Sequence, residues 1–250
     1  MFNMIIAIAL LIILTLVAGL SPLLIKKTNS QLFHLTLVFT GAYLLGITLS
    51  HLMPELFNSH LDRREVALWI ILGYFMQLLL DYFTSGVEHG HLHQAAAHHR
   101  HGAITMVTLL TAMGVHALLE GILLSHANML ESHQHNNGLL TGIILHKMPA
   151  AFALMSLIRC NYRDWRWPVV LMALFSIMTP AGILLGEYLS MAQWVKPGGL
   201  TILFALVTGN FLHISTTIFM ESSPGHRLNA VKLLVILAGT ALAMATEFMG

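Results

Sequence analysis

Charge is scarce in this sequence. Lysine, arginine, aspartate and glutamate make up 9% of its 250 residues, against about 25% in an ordinary soluble domain, so the usual water-facing shell cannot be built from it. Cysteine is nearly absent. Cys160 alone excludes an intramolecular disulfide framework and any cysteine-rich metal site, and its expected role is a small apolar filler near a helix end. A formal net charge of +1 without a long basic run excludes a nucleic-acid footprint. The first apolar run, from about Phe2 to Leu24, has no basic segment before it and is too long for a signal-peptide core, so it reads as a retained first helix. The fifteen methionines follow no spacing and read as core filler.

What the chain does have is apolar length. Hydrophobic residues make up 56% of it and the mean hydropathy is +0.76. Crossing a bilayer takes about twenty apolar residues. Eight such windows recur: Phe2 to Leu24, Phe33 to Leu56, Ala67 to Thr84, Ile104 to Ser125, Leu139 to Ile158, Val169 to Leu189, Leu200 to Met220 and Ala230 to Ala245. Backbone groups in lipid must be satisfied within each segment, which makes these helices. The expected fold is therefore an all-α integral membrane protein of eight transmembrane helices, a single polytopic domain over residues 1–250, in a bacterial inner membrane or a eukaryotic plasma or organelle membrane.

Lysine and arginine set its orientation. With the N-terminus outside, the cytoplasmic connections hold Lys26, Lys27, Arg100, Arg159, Arg163, Arg166, Arg227 and Lys232, and the outer ones only Arg63, Arg64 and Lys196. That bias predicts both termini outside. Residues 87–102, between helices three and four, then form a cytoplasmic loop with His89, His91, His93, His98, His99 and His101, a composition suited to loose metal buffering. A thinner cluster, His126, His133 and His135, falls in the outer loop between helices four and five.

Helices four and five carry the chemistry. An ionisable group near mid-bilayer costs roughly 2.5 kcal/mol or more, so it persists there with a function and a partner. His116 and Glu120 have i, i+4 spacing and share one helix face. At a rise of about 1.5 Å per residue, His116 and His146 both fall within roughly 4 Å of the midplane, so the two helices can hold one ion together. Two imidazoles, one carboxylate and a water suit zinc(II) or another borderline transition ion, whereas calcium or magnesium would require mostly oxygen. Pro149 frees the carbonyl of Leu145 beside His146 and is expected to bend or break the fifth helix there. Lys147 is expected to find a carboxylate, most simply Glu120, or to lose its proton; as a fixed positive charge it would hold the site to one metal. His51 and Glu55 repeat the i, i+4 spacing at the end of the second helix, and His213 lies in the seventh, all three candidates for the ion's way in or out. Gln77, Asp81 and Glu187 read as interfacial. Gly182-x-x-x-Gly186 is a helix-packing face that leaves a homodimer open.

These residues resemble the ZIP (Zrt/Irt-like) family of divalent metal transporters along nearly the whole chain. The family's His-(Asn/Ser)-x-x-(Asp/Glu)-Gly motif is matched by His116, Glu120 and Gly121, with Ala117 departing from it. Where many members read His-Glu-x-Pro-His-Glu on the fifth helix, this chain has His146, Lys147 and Pro149 followed by Ala150 and Ala151, similar to a branch with His-Lys there, in which lysine takes the second metal position. Met53-Pro54-Glu55 resembles the acidic-proline end of the family's second helix, and Gly209-Asn210-Phe211-Leu212-His213 its Gly-Thr-x-Leu-Tyr stretch. The resemblance implies no prosthetic group and no enzymatic activity. It implies passage of zinc, with cadmium, iron or manganese as further candidates, into the cytoplasm by motion of one helix bundle against another. Loss of the ligands expected at 117, 150 and 151 implies a mononuclear site.

Two other classes remain. His91-x-His93 with His98-His99-x-His101 superficially suggests a membrane metalloenzyme with a histidine-box iron site, although no His-Glu-x-x-His motif is present. A metal sensor without transport differs from a carrier only in flux.

Overall fold

The computed structural model describes residues 4–25, 30–84, 103–129, 136–162, 164–192, 197–221 and 229–248. These form eight helical segments and, among the described residues, no strand. They are α1 Met4–Leu24, α2 Ser30–Phe57, α3 Arg63–Thr84, α4 Ala103–Met129, α5 Asn136–Asn161, α6 Arg166–Met191, α7 Pro197–Glu221 and α8 Ala230–Phe248. Among the described residues seven are long and apolar enough to cross a membrane, and the 19-residue α8 carries a shorter apolar stretch, Ala230–Thr246. At about 1.5 Å per residue α8 still reaches about 28 Å, close to the thickness of a hydrocarbon core. The chain is a multi-pass, all-α membrane protein. The histidine-rich loop, with His89, His91, His93, His98, His99 and His101, lies outside the described residues, as do His133 and His135. His126 belongs to α4, which continues to Met129 rather than ending at Ser125.

Caps fix where several helices start. The Asp62 carboxylate accepts from Arg64 N–H (2.9 Å), so α3 begins at Arg63, four residues before its apolar run. Asp164 accepts from Arg166 N–H (3.1 Å) and Asn229 from Lys232 N–H (2.8 Å), opening α6 and α8 in the same way. Prolines inside the helices are handled individually. Pro22 deprives the Ala18 carbonyl of its donor, and the Ser21 hydroxyl supplies one at 2.7 Å. Pro54 cannot serve the Ser50 carbonyl, and the preceding turn, Thr48–Leu52, widens into a π-helix in which Met53 N–H bonds Thr48 O. At Pro149, where a break was expected, α5 remains α-helical from Asn136 to Asn161; the change of register falls in α2 instead.

Two groups of helices emerge from the packing. The most extensive contacts join α4 to α6 and α1 to α5, with α1 also on α6; on the other side they join α3 to α7 and α2 to α8, with α2 also on α7. Glycines set the closest approaches. A Cβ on Gly121 would overlap the Thr179 carbonyl of α6, and one on Gly182 the Leu118 carbonyl of α4, so these backbones touch directly. Gly186 meets Ser125 further along, and the glycine pair expected of a packing face is thus used within the chain. Gly73 and Gly209 do the same for α3 and α7, where the Asn210 amide nitrogen, in the orientation that satisfies its surroundings, donates to Leu206 O (3.1 Å) and Gly73 O (2.7 Å). Across the two groups α5 meets α2 through side chains: the Tyr43 hydroxyl donates to Gly138 O (2.9 Å) and lies 3.0 Å from the Thr246 hydroxyl of α8. The outward stripe Leu68, Ile71, Phe75, Leu79 and Tyr82 on α3 is exposed at helical spacing, as a lipid-facing side requires.

Candidate metal centre

His116 and Glu120 lie one turn apart on α4, and His146 and Lys147 are consecutive on α5. Consecutive helical residues differ in direction by about 100°, and the two α5 side chains accordingly reach different oxygens of one carboxylate. His116 Nε2 lies 3.2 Å and His146 Nε2 3.8 Å from Glu120 Oε1. Lys147 Nζ donates to Glu120 Oε2 at 3.0 Å. The two imidazole rings stand perpendicular with centroids 5.7 Å apart. All four side chains are buried. Lys147 also rests over the face of Phe175 from α6, 4.8 Å from the ring centroid.

One ligand atom from each of His116, Glu120 and His146 lies within 4.8 Å of the others, and among the described residues this is the group of three that could hold a metal ion. A tetrahedral zinc site with bonds of about 2.0 Å sets its ligand atoms about 3.3 Å apart, so small side-chain rotations would close the set and leave a fourth position for water. The positions where further ligands were expected contribute none. Ala117, Ala150 and Ala151 are buried in the apolar cluster with Met113, Leu154 and Phe175.

The other candidate residues lie apart from this centre. His51 sits in the π-helical turn with its Nε2 3.6 Å from Glu55 Oε2. His213 on α7 is buried, 3.3 Å from the Asp81 carboxylate of α3 and edge-on to Tyr74. Gln77, fully buried, donates to the same carboxylate at 3.3 Å. Gln77 and Asp81 thus form a polar group with His213 in which Asp81 reaches across to α7, a pairing that no local sequence feature shows. Two ionisable residues inside separate apolar runs were the available signal. Cys160 is exposed at the end of α5 rather than packed as filler.

Residues 87–246 match the family model described as ZIP Zinc transporter. The protein named Zinc transporter ZIP1 from Danio rerio is 27% identical over 195 residues, which cover 69% of this chain and 60% of that relative. The chain thus aligns with about 60% of the length of the curated relative.

Proposed function

The chain belongs to the ZIP zinc transporter family, and from that premise we propose that it carries a divalent metal ion, zinc(II) foremost, across the membrane into the cytoplasm, held in transit by His116, Glu120 and His146. The observation that carries this reading is the convergence of three buried ligand atoms within 4.8 Å from two helices. A naked divalent ion in a bilayer needs ligands in place of its water, and two imidazoles with one carboxylate suit zinc better than hard ions. A relative named for zinc transport favours the same ion. Lys147 fills the place of a second metal with a fixed positive charge. His51 with Glu55, and His213 with Asp81, serve as stations on either side of the centre, and the histidine-rich loop collects the released ion. Homodimers are compatible with this role.

The test is uptake of radiolabelled zinc by proteoliposomes, with cadmium, iron and manganese as competitors. His116→Ala and His146→Ala should each abolish uptake while expression persists. Undiminished uptake in both variants would remove these residues from the pathway.

A further inference from the structure

Among the described residues one acid and one fixed cation are buried, Glu120 and Lys147, and they face each other at 3.0 Å. Of the other described bases, Arg63, Arg64, Arg159 and Arg166 are exposed and Lys232 is half-buried. Their carboxylate is divided in use: Oε2 belongs to the ammonium, while Oε1 faces both imidazoles. In the same position the ammonium also lies 4.8 Å from the centroid of the Phe175 ring, which belongs to a different helix from Glu120.

An alternating-access carrier that delivers ions in one direction must return its site empty. A lone carboxylate in so buried a site would oppose that return, because an unpaired charge is far costlier there than a paired one. We propose that Lys147 is a tethered counter-cation whose ammonium neutralises Glu120 whenever the metal is absent, so that the empty carrier returns without any ion from solution. When a divalent ion binds the imidazoles and Oε1, repulsion moves the ammonium toward the Phe175 face; when the ion leaves, the ammonium closes on the carboxylate again. The empty pair carries no net charge, and the loaded site carries the two charges of the metal. This inference rests on the transport reading above and adds to it the means of return.

Two measurements test it on the full chain in proteoliposomes. In the wild type, net zinc entry should move two positive charges per zinc and be indifferent to proton, sodium and chloride gradients; an obligatory counter-ion or a smaller charge would overturn the proposal. In Lys147→Met, tracer influx into zinc-loaded vesicles is compared with influx into zinc-free vesicles containing a chelator. Only the second requires an empty return, so the ratio of exchange to net flux should rise at least about tenfold, equivalent to a barrier change well within the penalty for an unpaired buried charge. Lys147→Arg should bring the ratio back toward the wild-type value. A ratio within about twofold of wild type in Lys147→Met overturns the proposal, since that penalty would then be missing. Zinc flux with an unmoved ratio removes this inference alone, whereas no zinc flux in the wild type removes the transport reading and this one with it.

Discussion

Glu120 and Lys147 should be tolerable together, or absent together, but not singly. Their side chains are 1% and 3% exposed and 3.0 Å apart. At an effective dielectric near 20 the Coulomb attraction at that distance is about 5–6 kcal/mol, and removing one partner of such a pair costs about 3–5 kcal/mol because the other stays buried and uncompensated. Lys147→Met and Glu120→Met should therefore each lower stability by about 3–5 kcal/mol, which on a soluble-protein scale of about 2–4 °C per kcal/mol is a fall in Tm of about 6–20 °C. The double variant replaces two charges by two apolar chains of similar volume and should lie within about 1 kcal/mol of wild type. The assay is thermal unfolding in detergent with a chelator present, followed by tryptophan fluorescence. A double variant as unstable as the sum of the singles would show that the two groups do not compensate each other, and the reasoning would fail.

Zinc at about 100 times its Kd should stabilise the wild type by about 2.7 kcal/mol, and His146→Ala should erase that gain in the same melting experiment. Gly121→Ala should cost at least about 1–3 kcal/mol by driving a methyl into the Thr179 carbonyl. Gly114→Ala, whose added carbon meets nothing nearer than Met178 at 3.9 Å, should be neutral or stabilising by up to about 1 kcal/mol; thermal unfolding separates the two. Tyr43→Phe removes the hydroxyl that bonds Gly138 O and neighbours Thr246, and should lower stability by about 1 kcal/mol, with faster hydrogen exchange at the start of α5.

The fold and the centre were legible for different reasons. Apolar length revealed all eight helices because lipid imposes one dominant requirement on each, but it misplaced the start of α3, where Asp62 caps a turn made of Arg63, Arg64 and Glu65. Depth brought His116 and His146 to one level, since each lies on a helix whose rise is fixed, the i, i+4 spacing added Glu120 one turn away, and burial pointed to a partner for Lys147. Contacts between distant helices left no such trace. Phe175 under Lys147, and Asp81 with Gln77 around His213, depend on which helices become neighbours. Pro149 and Pro54 look equally disruptive in the sequence, yet only the second is accompanied by a π-helical turn.

The tightest seams join α4 with α6, α3 with α7 and α2 with α8, and each skips an odd number of intervening helices. In a chain that crosses the bilayer alternately, such partners point the same way and can never be consecutive. During synthesis every one of them must therefore wait in the lipid until the helices between them have been threaded. Gly121 has no backbone to lie against until α6 arrives, whereas Glu120 meets Lys147 as soon as α5 is inserted. Assembly would then hold the polar centre closed by its own ion pair before its permanent wall exists.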